Sequence, residues 1–339
     1  MQTMKNNPIK TSFLLHVMNI FRTGCTALLC LGAMIFSEVQ ALNLSGKAIV
    51  GPLVGHATSS TASLWMYAGV SSRVSIHYLP VDGKEAEKQA EFIASIMPAK
   101  RLSGQPFKIT LTDLKPQMDY QYRISIDGKF QPFVHGIFRT APIKGKNVKF
   151  RVGVTSCMKV GKPQSSWKLF LAENPTLHLT LGDTHYANST DPNKQWNHHL
   201  RYRRELNFSK VIAAIPTYAM WDDHDYGPND SDGSERGKES SLESWKAVWA
   251  NPNAGTERTP GAFFKFSWGD VDFFVIDERY YRSPNKARDD DRKRMLGDPQ
   301  FEWLLNGLKS SKAKFKIIAS GSTLHHSTTD GLAPLYVCP

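Results

Sequence analysis

The sequence predicts two layered domains: an all-β sandwich over residues 43–142, followed by an α/β layered sandwich over 148–339. Three observations lead there. Between 43 and 142, short runs alternate apolar and polar residues between turn formers, the period-2 pattern of half-buried strands. From 148 onward, apolar strand-like runs alternate with segments of helical spacing, which argues for α/β layers. Three of those apolar runs end in residues of metal-ligand type, at the strand C-terminal ends where α/β domains place their sites. A chain of 339 residues also exceeds the roughly 150 expected of one domain.

The first 41 residues differ in kind. Lys5, Lys10 and Arg22 precede an apolar stretch over 23–36, and Val39-Gln40-Ala41 supplies the small residues of a cleavage site, so 1–41 reads as a secretory signal peptide. Met18 offers a later start that leaves Arg22 as the basic end. The apolar stretch is shorter than the ~20 residues that span a bilayer, so no stable membrane anchor is expected after cleavage. In the sandwich, strands are expected over 62–67, 73–79, 107–113, 120–127 and 136–140. Leu114-Lys115-Pro116 followed by Tyr120-Gln121-Tyr122 resembles the corner of fibronectin type III domains, where a tyrosine hydroxyl closes a turn at the sheet edge. Those tyrosines are read as structural. Residues 141–147, with Pro142, Gly145 and three charged or amide side chains, form the expected linker.

In the second domain, strands are expected over 148–155, 177–181, 211–220, 263–276 and 315–320, the fourth being a hairpin turned at Gly269-Asp270. Helices are expected over 165–173, 195–208, 241–250 and 299–312, the last capped by Asp298 with Pro299 first in the helix. There is no internal repeat and no glycine-rich phosphate loop; Gly153 and Gly161 stand alone. The mixed-charge run over 288–294 reads as a solvated loop.

Composition narrows the partners. Net charge is +11, and loss of Lys5, Lys10, Arg22 and Glu38 with the signal leaves 39 basic against 30 acidic residues, a balance that favours anionic partners. No run of five Lys or Arg and no basic groove-binding helix is present, so a nucleic-acid-binding role is not expected; an anionic small substrate, or simple solubility, explains the charge. Of four cysteines, Cys25 and Cys30 leave with the signal; Cys157 and Cys338 do not make a disulfide framework, and Cys157 is expected as a free thiolate or a ligand.

The chemistry concentrates in three clusters. Trp221-Asp222-Asp223-His224-Asp225 follows the apolar run 211–220, Gly182-Asp183-Thr184-His185-Tyr186 follows 177–181, and Ser156-Cys157 follows 150–155. A Gly-Asp pair alone is more often a turn or helix cap than a ligand. Four polar residues in succession after a buried strand are costly unless solvated or coordinated, which makes Asp223 and His224 the stronger pair. The stretch 226–233 reads by itself as a surface loop. Arg279, Arg201 and Lys159 could steady an anion, but each is more readily an ordinary surface or helix charge. His198 and His199, beside Arg201, Arg203 and Arg204, are expected to be exposed; His185 points away if Asp183 and Tyr186 converge.

Taken together and in order, Ser156-Cys157, Gly182-Asp183-x-x-Tyr186 and Trp221-Asp222-Asp223-His224-Asp225 resemble the PhoD-like alkaline phosphatases, a branch of the calcineurin-like metallophosphatases. The hairpin segment 264–279 and the sandwich in front look like that family's too, over about 45–325. The resemblance implies a phosphoric ester hydrolase with Fe3+ and Ca2+. Asp183 would bridge the two ions, Cys157 and Tyr186 would complete the iron site, and Asp223 would serve the second metal. His224, with Asp223, would carry the catalysis as the acid that protonates the leaving group. Asp222, Asn229 and Arg279 are further candidates. Thiolate and phenolate suit a trivalent iron, and carboxylates suit calcium.

Two departures from the family pattern carry consequences. The late Gly-Asp-x-His or Gly-His-x-His segment is absent, and His325-His326 follow a different context, so 148–339 is expected to be a C-terminally truncated metallophosphatase domain. The implied function is thus a secreted or periplasmic enzyme, acting as a monomer on phosphate mono- or diesters by hydroxide attack; the alternative is an inactive remnant that binds metal or phosphate only. No Arg-Arg pair occurs in 1–41, which points to the general secretory route.

Overall fold

Two four-stranded antiparallel sheets open the structure, a computed structural model that describes residues 49–69 and 72–322. The first sheet runs β1 (Val50–Ala57), β2 (Ala62–Gly69), β6 (Gly104–Leu111), β5 (Ile93–Ala94), and the second β4 (Lys88–Glu91), β3 (Val74–Pro80), β7 (Asp119–Ile126), β8 (Lys129–Arg139). Alternate residues Leu64, Ile76, Tyr120, Ile124 and Phe138 face inward and close one core. The five expected strands are present; β1, β4 and β5 escaped prediction, β4 and β5 because they are short and largely exposed. The expected corner forms, with Lys115 N donating to the Tyr120 hydroxyl at 2.8 Å. The signal segment, Cys25, Cys30, His325, His326 and Cys338 lie outside the described residues.

The rest is mixed α/β, with two three-stranded sheets. One is parallel and runs β11 (Thr217–Met220), β10 (Leu177–Leu181), β9 (Val152–Thr155); the other runs β12 (Phe264–Trp268), β13 (Val271–Val275), β14 (Phe315–Ala319). Their inner faces meet where Tyr218 stacks on Phe266 at 3.7 Å, and Trp221 Nε1 donates to Asp277 Oδ1 at 2.7 Å. Helices α1 (Ser166–Ala172), α2 (Pro192–Arg203), α3 (Leu206–Ala214), α4 (Asp223–Tyr226), α5 (Lys238–Val248) and α6 (Asp298–Ser310) complete the described elements. The outer side of β1 and β2 is not free: Leu53 and Trp65 share a core with Leu179 and Tyr218, and Trp65 Nε1 donates to Ala247 O at 3.0 Å.

Three element predictions are corrected. The run 211–220 was expected to be one strand, but its first half is the last turn of α3, and only Thr217–Met220 is strand. Phe208, Val211, Ile212 and Ile215 recur at helical spacing, Glu205 accepts from the amides of Asn207 and Phe208 at the N-terminus, and Pro216 ends the helix. The expected helix 195–208 is accordingly two helices, α2 and α3. In α6 the cap is Gly297, one residue earlier than expected, with Asp298 in the first turn.

One buried group in this frame makes stability depend on pH. His178 lies in the middle of the parallel sheet, its ring nitrogens 2.7 Å from Thr155 Oγ1 and 3.3 Å from Thr217 Oγ1, and burial pulls its pKa down to about 3. The folded state therefore holds the imidazole neutral, whereas the unfolded chain protonates it near the ordinary ~6.5. The stability tied to this neutrality is complete above that value and is lost as pH falls toward 3, at about 1.4 kcal/mol per pH unit. His178→Gln is expected to flatten the pH dependence of unfolding free energy between pH 6 and 4 by about one proton; an unchanged slope would remove His178 as its source.

Candidate metal centre

The three strand ends converge because their loops are stitched to one another. Cys157 N donates to Gly182 O at 3.4 Å and Met158 N to Asp183 O at 2.9 Å, fixing the turn after β9 against the turn after β10. Gly182 is required where it is: a Cβ there would lie 2.5 Å from the backbone nitrogen and Cβ of Asp222, so only glycine lets the β10 and β11 ends approach this closely. Cys157 and Asp183 both adopt left-handed backbone, at φ 57° and 53°, a conformation non-glycine residues hold at some cost and that concentrates at functional sites.

Asp183 is the hub. Asp183, Asp223 and His224 each offer a ligand atom, all within 4.8 Å of one another. The Tyr186 hydroxyl donates to Asp183 Oδ2 at 3.1 Å, and Cys157 Sγ lies 3.6 Å from the same oxygen. Asp183 Oδ1 is buried with no hydrogen-bond partner. Such an orphaned carboxylate oxygen is expensive in a folded protein unless something coordinates it. Asp223, at the start of α4, is held by its own loop: its Oδ1 accepts from His224 N at 3.0 Å and its Oδ2 from Asp230 N at 2.7 Å. The rings of His224 and Tyr186 pack with centroids 4.3 Å apart, and His224 Nδ1 lies 2.5 Å from Asn188 Oδ1.

The electrostatics of the cluster ask for cations. Burial, and after it the carboxylate of Asp222, push the pKa of Asp183 up; burial and then the charges of Asp183 and Cys157 push the Tyr186 phenol up. Burial also raises Asp222, and Glu278, wholly buried in the loop after β13, is raised well above the carboxylate range by burial and by Asp222. Against these acids stands Arg279, whose Nε donates to Asp222 Oδ1 at 2.7 Å while Nη1 donates to Ser231 O at 3.2 Å. Carboxylates that hold each other's pKa upward are the arrangement a bound cation relieves.

Behind the centre, Asp225 ties the two loops together. Its Oδ1 accepts from Thr184 Oγ1 at 2.6 Å and from His185 N at 3.1 Å, and its Oδ2 from Asp222 N at 3.1 Å. Burial, then Asp183, lifts its pKa to about 8. His185 turns away from the centre, as expected, and sits 3.0 Å from His199 through their Nε2 atoms.

The structure thus brings together Cys157, Asp183, Tyr186, Asp223 and His224. It does not bring in Asn229, which is exposed and donates to Asp230 Oδ2 at 2.6 Å, and it gives Asp222 to Arg279. Three surface assignments divide. Arg201 and Lys159 are exposed, Lys159 Nζ lying 5.4 Å over the Tyr186 ring, but Arg279 is buried. His199 was expected at the surface and is buried, because Trp196, His199, Leu200 and Arg203 form the inward stripe of α2 at 3.6-residue spacing. Arg203 Nη1 lies 3.1 Å from His199 Nδ1, and the guanidinium sits 4.2 Å from the Trp249 ring. Asn188 and Glu278 went unnoticed in the sequence, and Asp225 was named only as part of its cluster, without its role in tying the loops; proximity to the clusters was the only sign of the first two.

Comparison with known proteins agrees with this geometry. The sequence profile of the PhoD-like phosphatase family matches residues 152–335. Alkaline phosphatase D of Bacillus subtilis (strain 168) is 25% identical over 254 residues, which cover 61% of this chain and 42% of that protein. The chain therefore spans less than half the length of that relative. Among solved structures, PhoD superposes with a TM-score of 0.63 at 20% identity, covering 79% of this chain and 61% of that one. The purple acid phosphatase PPD1 from yellow lupin (Lupinus luteus) seeds gives 0.60 at 14% identity, covering 80% and 50%. Both comparisons show a shared fold.

Proposed function

Because the chain belongs to the PhoD-like phosphatase family, we propose that it is a secreted or periplasmic phosphoric ester hydrolase whose centre is built on Asp183. The observation that carries this is the buried, unpartnered Asp183 Oδ1 with Cys157, Tyr186, Asp223 and His224 gathered round it. The donor set fits a cation pair: Cys157, Tyr186 and Asp183 would hold Fe3+, and Asp183 with Asp223 would hold Ca2+. Bound there, the pair supplies an acidified water and neutralises the phosphate charge. The chain's own groups do the rest. Asp183 and Asp223, fixed by their loops, are the donors that would hold the cations, Arg279 keeps Asp222 in place, and His224 delivers a proton to the departing ester oxygen.

The first part of the chain completes the reading. The strand order, with β2 and β6 in one sheet and β3 and β7 in the other, and the Tyr120 corner support a fibronectin III-like domain over 43–142 preceding the catalytic domain. Export rests on residues 1–41; among the described residues no helix is long and apolar enough to cross a membrane.

The test is hydrolysis of an aryl phosphate and of its bis-ester by the purified chain with iron and calcium supplied, beside metal analysis. Turnover of either ester with bound metal is the expected result. Metal bound without turnover would replace the hydrolase by a binding-only protein, and neither would reject both.

A further inference from the structure

His224 has two ring nitrogens, and a neighbouring amide decides which one is free for chemistry. Asn188 Nδ2 donates to the carbonyl oxygen of Tyr186 at 3.3 Å, which orients the amide and leaves its Oδ1 as the atom 2.5 Å from His224 Nδ1. An amide oxygen only accepts, so Nδ1 must carry the proton. A neutral imidazole has a single N–H, so Nε2 keeps its lone pair. Rotation of the ring is opposed by Tyr186, whose ring packs against it at 4.3 Å. The backbone at Asn188 is left-handed, φ 49°, a conformation asparagine tolerates better than most residues and one that turns its side chain back along the loop.

We propose that Asn188 is a positioning residue that locks His224 in the Nδ1–H tautomer and so makes Nε2 the atom that takes up and delivers the proton. This deepens the hydrolase reading and rests on it for the proton's destination. In the cycle it implies, His224 as imidazolium gives the Nε2 proton to the ester oxygen as the P–O bond breaks. The ring returns to its neutral Nδ1–H form without losing the hydrogen bond to Asn188, and Nε2 is reprotonated from water.

The experiment is side-chain nitrogen NMR on the full chain carrying 15N-histidine, in chelator-treated buffer, with His224 assigned by its loss in His224→Gln. Asn188→Gly removes the amide without straining a left-handed backbone, and Asn188→Asp keeps an acceptor. The Nδ1–H tautomer is expected in the native chain and in Asn188→Asp, and its loss in Asn188→Gly. With ester substrate, Asn188→Gly is expected to lower kcat by about ten- to a hundredfold, the usual effect of removing a histidine's orienting partner, and to leave KM within about twofold. An Nε2–H tautomer in the native chain, or a tautomer unmoved by Asn188→Gly, overturns the proposal. If no ester is turned over but the tautomer follows Asn188, the hydrolase reading falls and the positioning role stands.

Discussion

Asp183→Asn is expected to abolish metal retention and to lower ester hydrolysis on the order of a thousandfold, while the metal-free protein unfolds no more easily than the native one. Asparagine keeps the volume of the side chain and can still accept from the Tyr186 hydroxyl, now 3.1 Å from Oδ2. What it removes is a charge that burial and the Asp222 carboxylate already disfavour, as the raised pKa of Asp183 records. Loss of function without loss of stability is the signature of a residue kept for chemistry at the fold's expense. Activity of the variant within a few fold of native, or a fall of several degrees in the melting temperature of the metal-free form, would place Asp183 in the scaffold instead.

The reverse pattern is expected of Arg279→Met. This guanidinium is buried, pairs with Asp222 through Nε and Nη2, and reaches Ser231 O and Ser322 Oγ. Removing it leaves Asp222 beside Glu278 and Asp183 with no positive partner, and a buried charge deprived of its partner costs about 3–5 kcal/mol. Chemical denaturation of the metal-free proteins should show a loss of that size, and Asp222→Asn in the same chain should recover much of it, because the two groups are coupled. A loss below about 1 kcal/mol would mean that solvent already shields Asp222.

These two residues also show where sequence was informative. Asp183 was legible because a buried apolar strand that stops at Gly-Asp leaves a carboxylate at a layer edge, and because Cys157 and Asp223 do the same on the strands either side. That signal is local. Arg279 entered only as a further candidate through the family resemblance; its burial was not legible, since it depends on Asp222, 57 positions earlier in the chain. His199 was a different kind of miss: the stripe of Trp196, Leu200 and Arg203 was present, but the neighbouring arginines suggested solvent, and an arginine seated against Trp249 is as buried as a leucine. The run 211–220 was misassigned because Val211, Ile212 and Ile215 favour strands by propensity, whereas the Glu205 cap and the packing of Phe208 favoured a helix.

The central claim is that a cysteine, a tyrosine and two aspartates meet around one metal centre. It is tested most directly by X-ray absorption at the iron edge on iron-loaded protein, native and Cys157→Ala, beside the metal content of each. The native spectrum should contain one sulfur scatterer at bonding distance, and Cys157→Ala should lose it. Iron that is not retained by the native chain, or a first shell of nitrogen and oxygen alone that the substitution leaves unchanged, would contradict the account.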